Sequence, residues 1–221
     1  MYRIETHLHT TYISRCGWLG AEAIMKYYTA CGYDAICVTD HYNRECFDYA
    51  EIDLTTPGSK TQAFLQGYHR LKKVSEKYNI RVYAGAELRF DESDNDYLLY
   101  GFHDALLADP DRVMREGLAA FAPQYRADGA LLVQAHPFRQ KCTPGVEVLN
   151  LNPRHDSHND LALAYAKEHH LIMTAGSDCH RPGDQGTTGI LSDTLPEDSF
   201  GLADLLRSGN YTIIRPECTE D

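Results

Sequence analysis

The chain has no apolar run long enough to cross a bilayer, and its first residues, Met1-Tyr2-Arg3-Ile4-Glu5-Thr6-His7, hold no apolar signal core. Neither a membrane span nor a secretory leader is expected, so the sequence reads as cytoplasmic. Paired cysteine motifs are missing too. The cysteines number 7, an odd count without a CxxC, which argues against a secreted disulfide framework. Cations are scarce, with 21 Lys and Arg against 32 Asp and Glu and a net charge of −11. That deficit discourages non-specific binding to nucleic acid or to an anionic membrane. It leaves anionic substrates open, because bound divalent cations reverse the local sign inside a site. No linker, repeat or low-complexity stretch marks a boundary, and 221 residues can bury one sizeable core. A single domain over residues 1–221 is expected.

What is present is an alternation of short strand-like and helix-like segments. Strands are expected at Tyr2–His7, Ala35–Thr39, Arg81–Gly85, Tyr97–Gly101, Leu131–Gln134, Val146–Leu149, Leu171–Ala175 and Tyr211–Ile214. Helices are expected from Ala21 to about Gly32, from Thr61 to Tyr78, from Asp109-Pro110 to about Arg126, from Asp160 to His170 and from Phe200 to Arg207, the last closed by Gly209. Segments 44–60 and 181–199 read as rim loops. The alternation predicts βα units, a mostly parallel sheet and an α/β fold, with a strand count that favours a barrel over an open sheet.

The 11 histidines fall largely at the ends of these strands rather than in a tract. His7 and His9 are two apart, so a strand puts both imidazoles on one face as half of a divalent-metal site. Later strands end in His41, Glu87, His103, His136, and Asp178 with His180. All are metal-ligand types, and the carboxyl ends of strands carry the active sites of α/β barrels and open sheets. Burying so many polar groups without partners would be costly, which favours ligation. The set exceeds the four ligands of a closed structural zinc site. A carboxylate such as Glu87 could bridge two ions, and multinuclear sites activate water and clamp in-line displacements. Hydrolase chemistry follows.

The motifs His7-Leu8-His9-Thr10, Thr39-Asp40-His41, Gly85-Ala86-Glu87, Ala135-His136-Pro137 and Gly176-Ser177-Asp178-Cys179-His180, in that order, resemble the polymerase and histidinol phosphatase (PHP) family. The resemblance implies a distorted seven-stranded, TIM-like (β/α) barrel, two or three divalent ions (Zn, Fe or Mn) and phosphoester hydrolysis by metal-activated water. It implies one ion on His7, His9, Glu87 and Asp178, with Glu87 bridging to a second on His103 and His136. His41 and His180 would serve a third. Asp178 and Glu87 are expected to carry the catalytic role. One departure stands out: family members often place an Asp or His shortly after the first motif, where this chain has Ser14-Arg15-Cys16-Gly17. Cys16 could ligate as a thiolate or simply pack.

Arg139 follows His136 closely and suits bidentate phosphate contact. Arg154, His155 and His158 lie in the loop after the sixth strand and are further candidates for the substrate. Arg15 and Arg181 flank predicted ligands. Glu147 reads as a buried, hydrogen-bonded carboxylate. The expected substrate is a small phosphorylated metabolite, such as histidinol phosphate or a nucleotide. An acidic, short chain makes extended nucleic acid less attractive. Two other readings are an amidohydrolase-type hydrolase and a non-catalytic metal-binding module.

Overall fold

Strand pairing in the computed structural model, which describes residues 1–56, 58–139 and 146–216 (the Arg139 side chain excepted), joins the strands into one sheet. In chain order they are β1 (Tyr2–Leu8), β2 (Ala35–Val38), β3 (His41–Tyr42), β4 (Arg81–Arg89), β5 (Asp96–Tyr100), β6 (Leu131–Gln134), β7 (Val146–Asn150), β8 (Met173–Gly176), β9 (Gly189–Ser192) and β10 (Tyr211–Ile214). The helices are α1 (Ala21–Ala30), α2 (Arg44–Tyr49), α3 (Thr61–Phe64), α4 (Gln66–Ser75), α5 (Pro110–Asp128), α6 (Asn159–Glu168) and α7 (Ser199–Ser208).

The sheet runs β10-β9-β1-β2-β4-β5-β6-β7-β8, with β3 paired to β4. The segment leaving β8 returns to β1, where Asp178 N donates to His7 O at 3.0 Å and His9 N to Cys179 O at 3.1 Å. The sheet therefore nearly closes into a barrel over β1, β2 and β4 to β8, as the sequence led us to expect. β9 pairs antiparallel with the first half of β1 and carries β10 outward. The expected strand at Tyr211–Ile214 thus forms outside the barrel. Two further differences lie in the segments read as rim loops, which contain α2 and β9. The helix expected over Thr61–Tyr78 is split into α3 and α4.

The largest correction concerns β5. It runs antiparallel to both β4 and β6. Only residues 90–95 separate β4 from β5. A parallel crossover needs a dozen or more residues, so this connection can only be a hairpin. The carboxyl end of β5 therefore lies at the opposite rim from the carboxyl ends of its neighbours.

Local sequence explains the supporting helices. In α1, Ala21, Ile24, Met25 and Tyr28 recur at helical spacing and are buried. They pack with Leu8, Ile36 and Val38 from the strands and Leu71 of α4. Each of the larger aliphatic side chains among them contributes roughly 1.5–3 kcal/mol by leaving water. Helix α7 starts at Asp198, whose side chain accepts from Gly201 N, and stops at Gly209 in the left-handed region. Helix α5 opens on Asp109-Pro110 and kinks at Gly117. Among the described residues no helix is long and apolar enough to cross a membrane.

Candidate metal centre

His7 is the last residue but one of β1, and the chain runs on through Leu8 into His9; both histidines are fully buried. His7 Nδ1 lies 2.9 Å from Glu147 Oε1. A carboxylate can only accept, so His7 donates through Nδ1 and turns the Nε2 lone pair toward the site. His9 is oriented by a longer chain. Its Nδ1 lies 3.1 Å from Ser14 Oγ, which accepts from His41 N at 3.0 Å and donates to Asp40 Oδ1 at 2.8 Å. With Ser14 Oγ–H committed to Asp40, the proton of the His9 bond sits on Nδ1, and Nε2 again carries a free lone pair. Asp40 also accepts from Thr10 N and Thr10 Oγ1, both at 2.6 Å. The two Nε2 atoms meet at 3.1 Å.

Around them converge the remaining groups. Glu87 stands opposite His41 in the β3–β4 register. Glu87 Oε2 is 3.2 Å from His9 Nε2, and Oε1 is 3.5 Å from His7 Nε2 and 3.1 Å from His136 Nε2. Asp178 Oδ1 lies 3.5 Å from His7 Nε2, 3.3 Å from His9 Nε2 and 3.2 Å from His180 Nδ1. His136 and Asp178 both hold positive φ, 29° and 51°, a region costly for residues other than glycine and common at functional sites. Their backbones are pinned by His136 N donating to Glu147 Oε2 and Asp178 N to His7 O.

This donor set fits divalent cations. His41 Nδ1 lies 2.7 Å from Glu87 Oε2 but off the hydrogen-bonding direction, so both buried atoms lack a hydrogen-bond partner. Converging lone pairs of imidazoles and carboxylates are what a Lewis-acidic ion needs. Among the described residues three groups are compact enough to hold one: His7 with His9 and Asp178, His41 with Glu87 and Asp96, and His9 with His41 and His180. Without an ion, protons take that place. Burial opposes charging His7, but Glu147, Asp178 and Glu87 outweigh it and raise its pKa well above the usual value. Burial and the charges on His41 and His180 hold His9 well below. Burial pushes the Glu87 carboxyl up, yet His41 and His7 bring it well below the carboxylate range. Asp178 is likewise held low against burial by His7 and His9.

Of the expected ligands, the structure brings together His7, His9, His41, Glu87, His136, Asp178 and His180. It does not bring His103. That ring is 68% exposed, sits 3.1 Å from Asp128 Oδ1 and packs on Phe200. The reversed direction of β5 places it at the far rim. The same reversal delivers Asp96, the first residue of β5, to the site beside His41 and Glu87. Arg89 binds Asp96 through Nε and Nη2, each at 2.7 Å.

A cavity of about 570 Å³ opens over the cluster, with Cys16, Asn152, Arg154, His155 and His158 in its wall. The Arg154 guanidinium is bound by Asp184 at 3.0 and 2.7 Å. His158 lies 3.4 Å from Asp156. The Arg139 side chain lies outside the described residues. Cys16 touches His180 and His41, which lower its thiol pKa to about 6 against the opposing effect of burial. Glu147 is the buried, hydrogen-bonded carboxylate expected, and it also accepts from Asn150 Nδ2 at 3.0 Å. Sequence reading missed the supporting roles of Asp40, Ser14 and Asn150. Asp40 had a signal, since it directly precedes His41 in Thr39-Asp40-His41.

Close packing holds β1 against β8. A Cβ on Gly176 would meet His7 Cβ at 2.2 Å and His7 N at 2.9 Å. Gly176→Ala should cost about 2 kcal/mol or more, the scale of core overpacking, read as a lower denaturant midpoint. An unchanged midpoint would show that β8 can move away from β1.

Residues 5–178 match the PHP domain family model, and residues 156–208 match that of a PHP-associated region. The chain belongs to the PHP family. No curated protein sequence matches it significantly. Among solved structures, this PHP chain resembles a two-domain protein of Bacteroides vulgatus containing a predicted PHP-like metal-dependent phosphoesterase, with a TM-score of 0.68 and 15% identity. The match covers 97% of this chain but only 64% of that protein's length. PsfC of Pseudomonas syringae aligns with a TM-score of 0.65 and 18% identity over 98% of this chain and 93% of its own. An amidohydrolase of Chromobacterium violaceum aligns with a TM-score of 0.51 and 15% identity over 99% of this chain and 100% of its own.

Proposed function

We propose that this PHP chain is a metal-dependent phosphomonoesterase that acts on a small phosphorylated metabolite. The observation that carries the reading is the convergence of His7, His9, His41, Glu87, Asp96, His136, Asp178 and His180 at one rim, with His41 Nδ1 and Glu87 Oε2 buried there without a hydrogen bond. Divalent ions held there would supply positive charge to a phosphoryl group and lower the pKa of water. His7, His9 and Asp178 would hold one ion, and Glu87 would link it to a second on His41, Asp96 and His136. His180 with His41 and His9 marks an alternative position, because His9 has only Nε2 to offer a cation. Nitrogen and oxygen donors suit Zn, Fe or Mn.

The protein's own share is orientation and exclusion. Glu147 and the Ser14–Asp40 pair hold Nδ1 of His7 and His9, so the Nε2 atom of each is aimed into the site. Asn152 Nδ2 donates to Asp178 O at 3.2 Å and lies against His180, holding that wall of the cavity. Hydrolysis breaks the ester P–O bond as water oxygen adds to phosphorus, and the leaving oxygen takes a proton.

An amidohydrolase reading draws on the Chromobacterium violaceum likeness. Amidohydrolases commonly bridge two metals with a carboxylated Lys, and among the described residues no Lys lines the cavity. Glu87 occupies the central position instead, which favours the phosphoesterase reading. The test pairs metal analysis with a panel of phosphomonoesters, amides and lactones on one sample. Two or more bound divalent equivalents and release of inorganic phosphate are expected. Metal-loaded protein that cleaves no phosphomonoester would overturn the proposal.

A further inference from the structure

Among the described residues, four arginines surround the mouth of the cavity and the smaller one beside it: Arg15, Arg89, Arg154 and Arg181. Three are neutralised. Arg15 pairs with Glu45 at 2.8 Å, Arg89 with Asp96 and Arg154 with Asp184, the last two through paired hydrogen bonds. Arg181 differs. Among the described residues no carboxylate pairs with its guanidinium, and its buried Nε has no hydrogen-bond partner. Its head instead lies over the Trp18 ring, 4.2 Å from the centroid. Trp18 is the chain's one tryptophan and is 62% exposed, an unusual position for a large apolar side chain.

Both residues are fixed to the metal centre through the backbone. Trp18 N donates to His180 O at 2.7 Å. Asp184 Oδ2 accepts from His180 N at 3.0 Å and from Arg181 N at 2.8 Å. Arg181 is thus held at two points, its backbone N–H by Asp184 and its guanidinium by the indole. A cation over an aromatic face keeps its N–H edge free, because the ring attracts the charge without consuming a donor. An uncompensated, pre-oriented guanidinium one residue past His180 is an anion receptor.

We infer that Arg181 receives the phosphoryl group of the incoming monoester and that Trp18 is its positioning residue. This rests on the phosphomonoesterase reading, but the test separates the two. Inorganic phosphate is titrated into the metal-loaded full chain, with the fluorescence of Trp18 as a direct readout. Binding to Arg181→Met and Arg181→Lys is followed in the same way. Trp18→Phe and Trp18→Ala are followed by calorimetry, and KM and kcat are measured for a monoester that the wild type hydrolyses.

Arg181→Met should weaken phosphate binding and raise KM about tenfold or more, the scale of one charged hydrogen-bonded contact, while kcat stays within about threefold. Arg181→Lys should fall between the two. Trp18→Ala should raise KM, and Trp18→Phe should restore it, because a phenyl ring still supports the guanidinium. Phosphate affinity and KM within about twofold of wild type in Arg181→Met would overturn the assignment. If the wild type binds phosphate but cleaves no monoester, the function falls while the Arg181 dependence of binding still decides the receptor. If it does neither, both fall.

Discussion

Glu87→Gln is expected to reduce kcat/KM by about 10³-fold or more, the scale on which loss of a central charge-stabilising group acts, and to cost at least one equivalent of bound metal. The reason is geometric. Both Glu87 oxygens face imidazole nitrogens: Oε1 faces His7 and His136, and Oε2 faces His9 and His41. A glutamine keeps the shape but offers one acceptor and turns an NH₂ toward lone pairs that need a cation. It cannot bridge. Folding stability supplies a second check. Glu87 is held well below the ordinary carboxylate range by His41 and His7 against burial. Such a group gives stability that is present above its unfolded pKa and is lost as pH falls through the depressed folded value. Metal-free Glu87→Gln should therefore be less stable than metal-free wild type at neutral pH, with the gap closing toward acid. Equal metal content and turnover in the variant would remove Glu87 from the centre of the mechanism.

How far the sequence alone reached depended on which physical rule each segment obeyed. Strand ends were legible because apolar runs and ligand-type residues alternate in register with the fold. Reading His7 and His9 as one face required only the two-residue period of a strand, whereas Asp178 as their companion was what the resemblance to the PHP family implied. The hydrogen bonds between His7 O and Asp178 N and between His9 N and Cys179 O are the barrel's closure. What remained hidden was of two kinds. Orienting partners such as Ser14 and Asn150 sit in loops or strand ends whose spacing to the ligands follows no period. The direction of β5 was hidden for a different reason, since the hydrophobic pattern of a strand does not record which way it runs. Connection length does record it. Residues 90–95 are too few for a crossover, and that shortness alone rules out a β5 parallel to β4.

That reversal yields the sharpest paired expectation: Asp96→Ala should lower metal affinity and kcat/KM by about 10- to 100-fold, while His103→Ala leaves both within about twofold. Asp96 is buried, lies 3.9 Å from His136 Nε2, and forms a compact group with His41 and Glu87. His103 is exposed at the far rim on Asp128. A rival account would give Asp96 only the task of neutralising Arg89, whose guanidinium it binds twice. Arg89→Met separates the two. It deletes that ion pair and leaves the carboxylate, so a pairing role predicts the same metal loss in Arg89→Met and Asp96→Ala. A ligand role predicts that Arg89→Met keeps its metal, because an Asp96 carboxylate freed from the guanidinium has more charge to offer a cation. Metal content of the three variants, measured at equal free metal, decides between them. Unchanged metal in Asp96→Ala would remove β5's first residue from the site, and loss in His103→Ala would bring the far rim into it.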